Sequence, residues 1–453
     1  MPSRVSLTPD MTTPIADFVA RYANADPVRL HMPGHKGVGA AERLDLTEVP
    51  GADSLYEAAG IIKESEENAS RLFGAHTFYT TEGSSHAIRA MLYLICLHAK
   101  MTGRAPTVLA GRNAHKTFIG AAALLDVGVD WLYPRPEEAY LTCRPSPGEL
   151  RAHFVKNGPP VAVYLTSPDY LGHMADIAGI SAVCREFGVL LAVDNAHGAY
   201  LRFLPQSLHP IDLGADLCCD SAHKTLPCLT GAAYLHLSHA SPPALREAAK
   251  SALALFGSTS PSYLVLASLD RANAYLAGSY PAELAAHVAA VARLSESLSA
   301  AGLPLVGDEP MKLTLSCRPL GYTGQELLAY LSERGIECEF ADPDYLVAMP
   351  TPALSEGALR RFLDALLGLP HRTPLPAELP PPHLPRIRMT VREAMLAQAV
   401  TLPTEACLGR TLATATVGCP PAVPILVSGE VVDEAALARF AYYGIDTLRV
   451  VSE

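Results

Sequence analysis

The chain has 453 residues, 49% of them hydrophobic and 18% charged, which suffices for two or three domains around a large core and excludes a disordered polymer. A formal net charge of −11 argues against a nucleic-acid surface, whose footprint is basic. No apolar run is long enough to span a bilayer, residues 1–26 lack the apolar core of a signal peptide, and ten scattered cysteines without a CxxC pair indicate neither a zinc site nor a redox motif. The expectation is a cytoplasmic protein with reduced, mostly buried thiols, no metal, no membrane and no nucleic-acid partner.

Along the chain, Thr13-Pro14 reads as a helix start that sets Ile15, Phe18, Val19 and Tyr22 on one face. His31-Met32-Pro33-Gly34-His35-Lys36-Gly37 is a dense polar turn whose histidines have no strand or helix to organise a metal site. Gly83-Ser84-Ser85 then precedes an amphipathic run over 86–100. A glycine turn into a helix N-terminus offers free N–H groups and hydroxyls to a phosphate, although a serine N-cap is the plainer reading. Strand-like runs at 107–110, 131–133, 161–166, 189–193, 217–219 and 232–237 alternate with helical patterns near 85–100, 115–125 and 177–187. That alternation predicts a mostly parallel sheet covered on both faces. His115 follows the first of these runs, where it suits stacking and proton transfer as well as a helix cap.

Two residues carry the chemistry. Asp194, in Val193-Asp194-Asn195-Ala196-His197-Gly198, ends an apolar run that reads as a buried strand, the end at which open α/β sheets bind ligands. Lys224, in Ser221-Ala222-His223-Lys224-Thr225, follows a second apolar stretch among small hydroxyl residues. A pyridoxal phosphate enzyme needs such a pair: an amine for a Schiff base with the cofactor aldehyde, and a carboxylate to keep the pyridinium nitrogen protonated. Further on, Gly257-Ser258-Thr259-Ser260-Pro261-Ser262-Tyr263 is a hydroxyl-rich loop or a capped helix start, and 261–300 reads as long helix. A compact α+β pattern covers 302–368, with strands at 312–317, 336–340 and 346–349 and helices at 324–334 and 356–367. Seven prolines between Pro370 and Pro385 suggest a semi-rigid linker before a last unit at 386–453.

Together these residues resemble the pyridoxal phosphate-dependent Orn/Lys/Arg decarboxylases of aminotransferase-like fold type I, in their short bacterial form without an N-terminal wing domain. The resemblance rests on Ser221 to Thr230, on Met32-Pro33-Gly34-His35-Lys36-Gly37, on Gly51-Ala52-Asp53-Ser54-Leu55, and on Thr259-Ser260-Pro261-Ser262-Tyr263. Arg392-Glu393-Ala394, Gly409-Arg410, Pro421-Ala422-Val423-Pro424 and Gly429-Glu430 extend it to the C-terminal domain. It implies an α/β fold in which an N-terminal segment (1–50) precedes a large domain (51–275) with a mostly parallel seven-stranded sheet. A small α+β domain (276–370) and an appended C-terminal domain (386–453) complete it.

It further implies that Lys224 carries the Schiff base, Asp194 pairs with the ring nitrogen and His115 stacks on the ring. Ser84, Ser85 and Ser221 would bind the phosphate with His223 close by, and Ala196 and His197 would lie beside the cofactor. Thr259 and Ser260 would reach the neighbouring subunit's phosphate, making a homodimer the active unit. The expected reaction converts arginine, lysine or ornithine to the corresponding amine and CO2, a step of polyamine biosynthesis. Asp53, Glu57 and Asp169 are candidates to hold the substrate's distal cation. The chain departs from the family at Tyr56-Glu57-Ala58-Ala59-Gly60, where a His-Pro pair is usual, and at Asp169, where a small hydroxyl residue is usual. An aminotransferase or lyase of the same fold would share Lys224 and Asp194, with Arg318, Arg386 or Arg388 open as its carboxylate clamp. A regulator of this fold would tend to lose Lys224.

Overall fold

The computed structural model describes residues 11–135, 138–376, 384–414 and 422–452. In chain order the elements to the end of the main sheet are α1 (Pro14–Ala25), α2 (Ile61–Phe73), β1 (His76–Thr80), α3 (Ser84–Met101), β2 (Thr107–Gly111), α4 (Lys116–Leu125), β3 (Gly128–Leu132), α5 (Pro147–Asn157), β4 (Ala162–Thr166), α6 (Ile177–Glu186), β5 (Leu190–Asp194), β6 (Leu217–Asp220), α7 (Ala222–Thr225) and β7 (Ala233–Leu237). There follow α8 (Pro243–Ala254), α9 (Tyr263–Ala277), α10 (Tyr280–Ala300), β8 (Leu305–Val306), β9 (Leu313–Ser316), α11 (Gly324–Ser332), β10 (Phe340–Ala341), β11 (Tyr345–Ala348), α12 (Glu356–Leu367), α13 (Val391–Leu396), β12 (Ala399–Pro403), α14 (Glu434–Tyr442) and β13 (Thr447–Val451). The fold is α/β with a mixed main sheet of seven strands.

The chain divides into two compact units, one of residues 1–103 and 184–285, the other of 104–183 and 286–453. In the first unit the strands run β1-β7-β6-β5. β5 and β6 are parallel, while β7 lies antiparallel to both β6 and β1. All five residues of β5 and all four of β6 are buried, so each reads as a continuous apolar run with a polar residue only at its carboxyl end. α1 begins at Pro14 and buries Ile15, Val19 and Ala23, the helical face expected from its sequence. The helix expected over 261–300 is two helices. It breaks at Gly278, whose N–H closes the end of α9 on Ala274 and Tyr275 before α10 restarts at Tyr280.

In the second unit β4 and β3 both lie parallel to β2, in the order β4-β2-β3. The expected α+β pattern appears there as the antiparallel sheet β10-β11-β9-β8, over which Leu313, Leu315, Leu327, Leu331, Leu346 and Leu359 form one core. The strand expected over 336–340 shrinks to β10. The N-termini of α5 and α11 each carry a complete capping box, Ser146 with Glu149 and Thr323 with Glu326. Near the C-terminus β12 pairs with β13 and α14 packs Ala436 and Phe440 into a small core with Leu412, Leu448 and Val450. Of the proline-rich stretch 370–385, residues 377–383 lie outside the described residues, as does Pro421.

Candidate active site

The first unit brings most of the expected site residues to the carboxyl ends of β5 and β6. Register sets Asp194, the last residue of β5, beside Cys219 of β6. Asp194 is buried, and its Oδ1 accepts from the Ala196 N–H at 3.2 Å and from the Cys219 thiol at 3.6 Å. Lys224 sits in α7, the short turn after β6, with Nζ 3.0 Å from Nε2 of His197. Two side chains that the sequence places 27 positions apart are thus in hydrogen-bond contact. An imidazole within hydrogen-bond distance of an amine can take or return its proton.

Ser84 is the first residue of α3, directly after Gly83, whose φ of +73° and ψ of 176° few side chains tolerate. The Gly83 N–H bonds the Gly231 carbonyl at 2.8 Å, which ties the start of α3 to the loop before β7. The Ser221 hydroxyl donates to that of Ser84 at 2.8 Å. Two hydroxyls therefore meet at the N-terminus of an 18-residue helix, a setting that suits an anion. Ser85 is the next residue of the same helix turn. His223 is held by the Ala232 carbonyl through Nδ1 at 2.9 Å. Thr259 and Ser260 are exposed on the loop before α9.

His115 belongs to the second unit. It is the N-cap of α4, where its Nδ1 accepts from the Thr117 N–H at 3.2 Å. An accepting Nδ1 leaves the neutral ring's hydrogen on Nε2. The loop before His115 is anchored by Arg112, which donates to the carbonyls of Pro424 and Ile425 and to Oε2 of Glu430 at 2.8 Å, with Glu430 wholly buried. The Lys116 N–H adds a bond to Ala422.

Two of the carboxylates considered for a substrate cation are committed elsewhere. Asp53 accepts from the backbone N–H groups of Ser54, Ala59, Gly60 and Ile62 and so closes the start of α2. Burial pushes its pKa up, but those N–H donors outweigh it and leave the group below its ordinary value. Asp169, wholly buried in the second unit, accepts from the N–H groups of Leu171 and His173 and meets the His173 ring at 3.1 Å. Its departure from the usual hydroxyl residue thus serves a turn. Glu57 is exposed.

Sequence reasoning missed what lies behind Asp194. Asp220, the last residue of β6, accepts from Asn195 Nδ2 at 2.6 Å, His209 Nε2 at 3.0 Å and His236 Nε2 at 3.1 Å. Burial alone would raise its pKa, yet the two imidazoles reverse that and hold it well below the carboxylate range. Burial lowers the pKa of His236 against the pull of Asp220, and its ring bridges the Thr77 hydroxyl, 2.9 Å from Nδ1, and Asp220, 3.1 Å from Nε2. No local signal marks these histidines, which lie 11 positions before and 16 positions after Asp220.

With this geometry in place, comparison with known proteins decides the family. Residues 13–296 match the model for the Orn/Lys/Arg decarboxylase major domain. The chain belongs to that family. It is therefore a decarboxylase of basic amino acids, and the aminotransferase and regulator readings fall away. It is 29% identical to an arginine decarboxylase of Bacillus subtilis over 93% of this chain and 91% of that one. A similar match, 29% over 94% and 92%, is to an arginine decarboxylase of Halalkalibacterium halodurans. Among solved structures the fold resembles the Francisella novicida lysine decarboxylase LdcF, with a TM-score of 0.77 at 16% identity, covering 98% of this chain and 82% of that one. The Escherichia coli constitutive lysine decarboxylase gives 0.73 at 19%, with the same coverage. Among the described residues no helix is long and apolar enough to cross a membrane.

Proposed function

We propose that this decarboxylase works with pyridoxal phosphate held on Lys224 and that its substrate is arginine. The contact between Lys224 and His197, on the turns that follow β6 and β5, carries the cofactor reading. The names of the full-length relatives favour arginine. The residues fit the group: an amine beside an imidazole, a buried carboxylate at a strand end, and paired hydroxyls at a helix N-terminus. When bound, pyridoxal phosphate supplies an electron sink for the carbon that loses CO2.

The chain's own residues do the rest. Lys224 would hold the cofactor through Nζ, and His197, 3.0 Å away, would take or return the proton there. Asp194 keeps the ring nitrogen protonated, an electrostatic contribution that grows in a dry site. Ser84, Ser85 and Ser221 hold the phosphate at the start of α3, with His223 alongside, and Ala196 offers backbone beside the ring. By the family resemblance His115 would stack on the ring and serve as a proton donor to the substrate carbon. Thr259 and Ser260, exposed in the subunit itself, serve the partner's phosphate in a homodimer, and the enzyme acts in the cytoplasm.

The test is CO2 release by cofactor-loaded protein offered arginine, lysine, ornithine and neutral amino acids. Release from arginine with agmatine as product is expected. Release from lysine or ornithine instead would overturn the substrate. No release from any of them, in protein that retains the visible absorbance of bound cofactor, would overturn the reaction as assigned.

A further inference from the structure

We infer that Asp220 is a positioning residue of the active centre, acting on Asp194 through Asn195. This rests on the reading of Asp194 as the ring-nitrogen partner and concerns how that carboxylate is held.

Asn195 follows Asp194 directly and leaves the end of β5. Its main-chain N–H bonds the Cys219 carbonyl at 3.0 Å, and its carbonyl accepts from Gly198 at 2.8 Å. Its side-chain amide donates to Oδ1 of Asp220 at 2.6 Å. Gly198 is required beside it, since a Cβ there would come within 2.0 Å of the Asn195 Oδ1. Both bonds that Asn195 directs at β6 thus end at Cys219 and Asp220, the last two residues of that strand. Asp220 in turn stands four positions before Lys224. One buried carboxylate therefore fixes the geometry between the turn that bears Asp194 and the turn that bears Lys224.

The hub is itself fixed. Asp220, His209 and His236 have no accessible side-chain surface. His209 and His236 clamp Oδ2 from two sides, the Cys218 thiol adds a contact to Oδ1 at 3.7 Å, and the Phe73 ring covers His236 at a centroid distance of 4.6 Å. Oδ1 and Oδ2 thus both have donors, and the carboxylate stays charged. An apolar core of the same volume would stabilise the fold as well or better, so stability alone gives no account of an ionised group here. A directional anchor for Asn195 does give one. His209, Cys218 and Asp220 also have the makings of a metal-ligand group, with ligand atoms within 4.8 Å of one another. Their polar atoms are already engaged with one another, and burial drives the Cys218 thiol pKa well up, against the thiolate a metal takes.

The test compares wild type, Asn195→Ala, Asp220→Asn and the double variant, each loaded with pyridoxal phosphate. Cofactor dissociation and the visible absorption band are measured beside the melting temperature. Each single variant is expected to weaken cofactor retention by about tenfold and to move the band, because each removes a hydrogen bond to a charged group on the path to Asp194. The double variant should be no worse than the weaker single by more than roughly twofold, since both changes cut one path. Wild-type retention and an unmoved band in Asn195→Ala would overturn the inference even if melting temperature falls. So would effects that multiply in the double variant. Should Asp220→Asn fail to fold, Asn195→Ala decides alone. Wild-type protein that takes up no cofactor would instead overturn the cofactor reading beneath it, which separates the two failures.

Discussion

Two buried carboxylates, one in each unit, have pKa values displaced in opposite directions for a reason visible in their donors. Asp220 in the first unit and Asp342 in the second are both nearly inaccessible, at 0% and 6% exposed. Asp220 is met on both oxygens by two imidazoles, an amide and a thiol, and its pKa is held well down. Asp342 takes two backbone N–H bonds on Oδ1, from Asp344 and Tyr345, while Oδ2 has no partner among the described residues. Burial pushes its pKa up to about 7, with the neighbouring Asp344 adding to the rise. Burial is common to both, so it does not decide ionisation; the number and kind of donors does. Asp270 falls between: it accepts from the Ser65 hydroxyl and the Ala16 N–H, and burial raises it to about 6.

The largest effect should come from a residue that the comparison leaves aside. Lys224→Ala is expected to drop CO2 release below detection while shifting the melting temperature by no more than about 2 °C, since the side chain is only partly buried and adds little to the core. Retained turnover would break the assignment of Lys224. Next, Asp220→Ala should cost about 3–5 kcal/mol in denaturant melts, because it strands the donors of His209, His236 and Asn195 in a dry core. A loss under about 1 kcal/mol would show that the hub is not a paired charge. Arg112→Ala should cost about 3 kcal/mol, because it leaves Glu430 buried without its cation.

The pH dependence sharpens the contrast because the signs differ. Asp220 has a folded pKa below its unfolded one, so its stabilisation is present above about pH 4 and is lost as pH falls toward the folded value. Asp342 has a folded pKa above its unfolded one, so stability is greatest below about pH 4 and declines as pH rises to about 7. Asp342→Asn should therefore flatten the stability profile between about pH 4 and 7 and be more stable than wild type at pH 8, by about 1 kcal/mol. An unchanged slope would mean that Asp342 is ionised throughout, against the donor argument.

What the sequence made legible follows from local rules. Apolar runs announced most of the strands but not β1 or β8, and α3 began at the glycine-serine turn as read. Asp194 and Lys224 stood out because each ends an apolar stretch in the context that cofactor chemistry needs. The helix break at Gly278 was hidden inside an alanine- and leucine-rich stretch, where composition outweighed one glycine. Asp53 and Asp169 stood as candidates for a substrate cation by position alone, and sequence does not show the backbone N–H groups that gather around each carboxylate.

The sequence by itself determined the α/β alternation, the strand-end aspartate and the lysine turn, since these depend on periodicity and on neighbours within a few residues. Only the tertiary structure decided which side chains would share a proton or a charge. Lys224 meets His197 across 27 positions, Asn195 meets Asp220 across 25, and His236 meets Asp220 across 16. Those pairings exist because β5, β6 and β7 lie side by side in register, and register is set by how whole strands bury their faces.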